Sequence, residues 1–208
     1  MPKVPRKRDY HHGDLRNALI AASLEAIAEG GVEGFTLREA ARRAGVSPAA
    51  PYRHFESRDD LLAAVAGECV RRVAAAMKEA MAAAPAGDAL DGFRACGIAY
   101  VRFAVEHPAH FRVMNMPAVT ARTPAEVRAE SAAMMTTWRQ DLVAAQAAGQ
   151  INRDVGIDAI LLAADCLVHG LAQRLVEGHE GLTGVTPAQA TAMAETVTDV
   201  LGAGLSPR

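Results

Sequence analysis

Residues 36–55 read TLREAARRAGVSPAAPYRHF, and the fold is decided in this stretch. Thr36 is a natural N-cap for a short helix running to about Ala44. Gly45 supplies the positive φ that a tight turn needs. Ser47 caps a second short helix, expected to reach about Phe55, and Pro48 falls at its first position, where a missing N–H does no harm. Ala41 is small where the two helices must cross, and Leu37, Val46 and Phe55 can pack the pair onto a preceding helix. What remains on the outside is cationic: Arg38, Arg42, Arg43, Arg53 and Arg58, opposed locally by Glu39 and Glu56. A short helix with small residues at its tip and arginine beside it can enter a major groove, where arginine pairs with guanine and alanine methyls meet thymine methyls. The plainer alternative is a surface helical hairpin carrying solvated arginines.

Outward from this pair, Gly, Pro and N-cap residues punctuate a chain of helices and no strand pattern competes. Asp14 is expected to cap a helix over 15–29, and Ser57 a long one over 58–83. Further helices are expected over 89–106, 109–114, 124–148, 156–177 and from 187 to about 202, with 117–124 a loop. Residue 50 is expected to leave the helical region because Pro51 follows it, so that the second short helix begins late or tilts. Lys3, Arg6, Lys7 and Arg8 form a cationic arm that can lie along phosphates or a minor groove, or else a solvated tail.

Composition sets the frame for these elements. The 208 residues are half hydrophobic, 22% charged and 4% aromatic, which excludes a disordered chain and favours an all-α protein over a sandwich or barrel. The net charge of −2 confines any nucleic-acid site to a local patch. Three dispersed cysteines, Cys69, Cys96 and Cys166, form no CxxC pair and fit free thiols in a reducing cytoplasm. The longest apolar run, 159–172, is interrupted by Asp165 and His169, so no membrane partner is expected. His107 and His110 lack a third ligand, and no GxSxG, Walker, Rossmann or HExxH motif occurs, so neither metal nor cofactor nor catalysis is expected.

Residues 10–65 resemble the DNA-binding region of the TetR family of bacterial transcriptional regulators. The likeness is carried by the G-x-x-x-x-T-L-R run at 31–38, AGVS at 44–47, Y-x-H-F at 52–55 and S-R-x-x-L-L at 57–62. The second half resembles a subgroup with a Trp…His-Gly signature, here Trp138 and His169-Gly170. The resemblance implies an N-terminal helix-turn-helix domain (1–57) and a C-terminal helical regulatory domain (58–208). It implies a ligand-released repressor that binds a palindromic operator as a homodimer. It places Arg38, Pro48, Ala49, Ala50 and Arg53 against bases and Thr36, Tyr52, His54 and Arg58 against phosphates. The family usually carries an aliphatic residue where this chain has Pro51.

The dimer implied by the family uses the last two long helices. Ala159, Ala163, Gly170 and Ala172 are small enough for close approach there, with Leu162, Leu167, Leu171, Leu175, Val197, Val200 and Leu201 giving apolar area. A small-molecule site is expected among the middle helices, where the bulky side chains gather. Its candidates are Phe103, His107, Phe111, Met114, Met134, Trp138, Cys166 and His169, against the alternative of a plain helical core. Asp165 and His169, four residues apart on one helix, could hydrogen-bond each other. A neutral to apolar pocket with histidines disfavours an anionic effector. The rival functions are a DNA binder without an effector and a helical-bundle enzyme.

Overall fold

The computed structural model describes residues 12–85, 89–179 and 181–206; the cationic arm at 1–8 lies outside them. Among the described residues every regular element is helical: α1 (His12–Gly30), α2 (Leu37–Arg43), a 3-10 turn (Pro51–Arg53), α3 (Arg58–Ala83), α4 (Ala89–Glu106), α5 (Pro108–Met114), α6 (Pro117–Thr120), α7 (Ala125–Ala147), α8 (Ile157–Glu177) and α9 (Pro187–Leu205).

The helix starts follow from side-chain capping. Thr36, Ser57 and Thr186 each accept a hydrogen bond from the backbone amide three residues on, and Thr186 closes a capping box with Gln189. α1 begins at His12, two residues ahead of Asp14, the position expected to precede it. The expected loop at 117–124 contains α6, started by Pro117 and held by Val119, which is buried in the head core. α9 runs past Gly202 to Leu205, whose carbonyl accepts the Asn152 amide at 2.8 Å.

The largest departure lies in the second helix of the 36–55 pair. The backbone at 48–50 is a turn, and only residues 51–53 are helical, as a 3-10 turn. Pro51 has no amide to continue α-helical bonding to the Ser47 carbonyl. That carbonyl instead takes the Ala50 amide at 2.9 Å, and i→i+3 bonds follow from Arg53 to Ala50 and from His54 to Pro51. Ala50 nonetheless keeps αR dihedrals (φ −62°, ψ −40°), contrary to expectation. The bias against αR before proline is a steric preference, and here it is met by a buried Pro51 and by i→i+3 bonds on both sides of Ala50.

The head packs α1, α2, the 3-10 turn and the first turns of α3 around Leu19, Ile27, Phe35, Leu37, Phe55, Leu61 and Leu62. Val113 of α5 and Val119 of α6 reach into the same core, so the body buttresses the head. In the body α4 is central and packs against α3, α5, α7, α8 and α9. It crosses α8 closely because residue 97 is glycine: a methyl there would lie 3.0 Å from Val168 Cγ1. α8 is long and apolar enough to cross a membrane by length and composition, the interruptions at Asp165 and His169 notwithstanding, and only 33% of its most apolar window is buried in the bundle.

Candidate nucleic-acid interface and ligand cavity

The outer surface of the head is built by α2 and the 47–55 segment. Gly45 turns the chain with φ +69°. Thr36, Arg38, Pro48, Ala49 and Arg53 are exposed, Tyr52 is 58% exposed, and Ala50 and His54 are half-buried. All eight expected DNA-facing residues of the pair therefore keep some exposed surface. Among the described residues, Arg38 and Arg53 have no ion-pair partner.

The other cations are committed internally. Arg42 grips Glu39 with two hydrogen bonds, at 2.8 and 2.7 Å. Arg43 bridges Glu39 at 2.7 Å and Glu29 of α1 at 2.6 Å. The two arginines, Arg42 first, hold the Glu39 carboxyl down at a pKa of about 2. Glu39 is the local counter-charge the sequence offers; Glu29, on another helix and remote in the chain, is the partner of Arg43 that spacing does not reveal. Arg58 is also tied inward: its Nε donates to the Phe35 carbonyl at 2.9 Å and its Nη2 to the Val32 carbonyl at 2.5 Å. It clasps the loop before Thr36 to the start of α3.

In the body a cavity of about 510 Å³ opens between α3, α4, α5, α7, α8 and α9. Val73, Met77, Phe93, Met134, Trp138 and Leu161 make its apolar wall. Phe93 and Trp138 meet edge to face, 5.9 Å apart. Three of the eight expected ligand residues, Met114, Met134 and Trp138, line it. Phe103 and Phe111 are instead closed core, 5% and 1% exposed. His107 faces outward, stacked beside His110, and Cys166 is exposed. His169 Nδ1 is hydrogen-bonded to the Tyr100 hydroxyl at 2.8 Å, in place of the bond to Asp165 that the spacing allows, and its ring packs on Tyr100 and Phe111.

The cavity also holds charges that the pocket expectation left out: Arg94, Asp91 and Asp199, besides Asp165. Arg94 Nη2 reaches Asp199 at 2.6 Å, joining α4 to α9. Charged residues on otherwise apolar helices were the available signal, but their facing depends on how α4, α8 and α9 cross. Cys96 lies on the same wall, buried, with its thiol 3.5 Å from the Met77 carbonyl, and desolvation raises its pKa.

Two further features bear on assembly and on coupling. Leu162 is 65% and Val200 71% exposed, and Ala159, Ala163 and Cys166 are exposed beside Leu162 on α8. Ala172 and Leu175, expected at the same surface, are buried in the chain's own core. His110 of α5, 8% exposed, lies with Nε2 3.4 Å from the Leu24 carbonyl of α1, so the body touches the head at α1 as well.

Comparison with known proteins gives a consistent answer. Residues 19–65 match the family model of bacterial regulatory proteins of the tetR family, and residues 93–201 match the tetracyclin repressor-like C-terminal domain. A solved protein of unknown function from Rhodococcus sp. RHA1 is 32% identical, with a TM-score of 0.77, over 96% of this chain and all of its own. A TetR-family transcriptional regulator from Rhodococcus sp. is 25% identical, with a TM-score of 0.66, over 91% of this chain and 99% of its own. A TetR family regulator from Marinobacter aquaeolei VT8, 20% identical with a TM-score of 0.67, shares the fold over 93% of this chain and 96% of its own. No curated protein matches the chain.

Proposed function

The chain belongs to the TetR family of bacterial regulatory proteins, and from that premise we propose that it is a ligand-responsive cytoplasmic repressor, binding a palindromic operator as a homodimer and released when a small molecule fills the cavity. One observation carries the reading. α3 is a single helix whose first turns, Leu61 to Cys69, build the head core, and whose next turns, through Val70, Val73 and Met77, wall the cavity. A ligand that displaces that wall tilts the helix on which the head is mounted, and a coupling of about 1–3 kcal/mol is enough for a switch.

Within this reading residues 1–57 are the DNA-binding unit and 58–208 the regulatory one. Arg38 and Arg53, without an ion-pair partner among the described residues, read base edges together with Pro48, Ala49 and Ala50; Thr36, Tyr52 and His54 rest on phosphates. The Arg58 clasp leaves it a positioning role more than a phosphate contact. Two subunits meet through the exposed Leu162 and Val200 faces of α8 and α9, with Ala159 and Ala163 allowing close approach. That pairing sets two heads about 34–36 Å apart, one turn of the duplex. The cavity performs binding and no catalysis.

Selection of bound duplex from a random pool, with and without cell metabolites, tests this directly. The expected outcome is an enriched inverted repeat whose retention falls when metabolites are added. Failure to enrich any sequence would refute the repressor reading. An enriched site that no metabolite releases would leave a DNA binder without an effector.

A further inference from the structure

Resting on the effector reading above, we propose that the cavity takes an organic cation with a large apolar body, its charge set against Asp165 and its body against Trp138, Phe93 and the methionines. Charge decides the class. Asp91, Asp165, Asp199 and Arg94 line the cavity. Arg94 is already neutralised by Asp199 at 2.6 Å. No ion-pair partner holds Asp91 or Asp165 among the described residues. Asp91 is half-buried and Asp165 and Asp199 are exposed, so the uncompensated negative charge stands at the rim of the cavity, and among the described residues no lysine or histidine lines it. A cleft with low-dielectric walls and one sign of charge concentrates counter-ions of the other sign.

The apolar wall suits the same class. Phe93, Tyr100 and Trp138 present aromatic rings, and Met77, Met114, Met134 and Met135 present polarizable sulfur that adapts to irregular shapes. Aromatic faces attract quaternary ammonium groups, tryptophan most strongly. Asp165 lies within electrostatic reach of Tyr100: burial first, and the Asp165 charge second, push the Tyr100 phenol well above its ordinary value. Tyr100 thus stays neutral, its hydroxyl bonded to His169, and offers its ring beside the carboxylate. Arg94 keeps one buried donor, Nε, without a hydrogen-bond partner among the described residues, which a ligand oxygen could take, but its charge is matched by Asp199, so an anion would still face the unpaired Asp91 and Asp165. A neutral molecule of equal size gains the apolar contact but not the attraction.

The 208-residue chain provides its own probe, because its single tryptophan, Trp138, lines the cavity. Three ligands share one chain length and differ in charge: decyltrimethylammonium, decan-1-ol and decanoate, each below its micelle concentration. The change in Trp138 emission should report tightest binding for the ammonium, roughly tenfold over the alcohol, with decanoate weakest. Asp165→Asn should bring the ammonium down toward the alcohol and leave the alcohol unchanged. If that variant fails to fold, added salt on the unaltered protein serves instead, weakening the ammonium and sparing the alcohol. Binding of the alcohol or decanoate as tightly as the ammonium would overturn the charge assignment while leaving the cavity a ligand site. An equal effect of Asp165→Asn or of salt on ammonium and alcohol would overturn it in the same way. No response to any of the three, with DNA binding intact, would overturn the cavity reading and the assignment together.

Discussion

Arg53 and Arg58 stand on the same short stretch of chain, yet one reaches solvent and the other is fastened to two carbonyls of the α1–α2 loop. Their substitutions should separate accordingly. Arg53→Ala should cost about 1–3 kcal/mol of operator binding and relax sequence preference without lowering Tm. Equal loss on operator and random duplex would reduce Arg53 to a phosphate contact. Arg58→Ala should lower head stability by about 2 kcal/mol, as loss of charged hydrogen bonds does, and Arg58→Lys should not restore it, because an ammonium lacks the fork. Thermal melting reads both. Glu39 belongs to the same account. Its folded pKa of about 2 lies below the ordinary 4.5, so its stabilising share is whole above about 4.5 and disappears as pH falls toward 2. Glu39→Gln frees Arg42 and leaves Arg43 held by Glu29 alone. Binding to random duplex should then tighten, and its salt slope should steepen by about 0.9 for each guanidinium that finds a phosphate.

At the scale of elements, the long helices were legible because their ends are written in local chemistry. Ser57 before α3, Pro108 at the start of α5 and Thr186-Pro187 at α9 fix boundaries through capping or a missing amide, and these act within four residues. Over 47–55 the absent Pro51 amide predicts a second helix that begins late or tilts, and the structure goes further, leaving only a 3-10 turn at Pro51–Arg53. What could not be weighed locally was the burial of Pro51, beside which Ala50 keeps αR while the α-helical ladder fails. Pro51→Ala restores the amide and should convert the turn to α-helix, shifting the positions of Ala49, Ala50 and Arg53. The selected operator should change in sequence more than random-duplex affinity changes. An identical operator for both proteins would show that Pro51 does not shape recognition.

On the scale of the whole molecule, the exposed α8–α9 face is the open surface with the clearest demand for a partner. Leu162→Glu places a charge in the proposed dimer seam and should yield monomers by light scattering, with operator affinity lost and the fold retained by circular dichroism. A dimer that survives this change would move the interface elsewhere. The same scale explains the uneven reading of the cavity. Of the bulky residues in the middle of the chain, Met114, Met134 and Trp138 line it. Phe103 and Phe111 have the same chemistry but face closed core, and His169 faces Tyr100. Periodicity places a residue on a helix face; which neighbour that face meets depends on crossing angles set by contacts such as Gly97 against Val168.

The sequence by itself determined the helical class, most helix limits and the cationic head, because propensity, capping and the 36–55 pattern act over a few residues. Only the tertiary structure decided which arginines stay free, where the cavity lies and that carboxylates edge it. Those outcomes depend on residues distant in the chain, Glu29 on Arg43 and Asp199 on Arg94, whose meeting is fixed by packing and not by spacing.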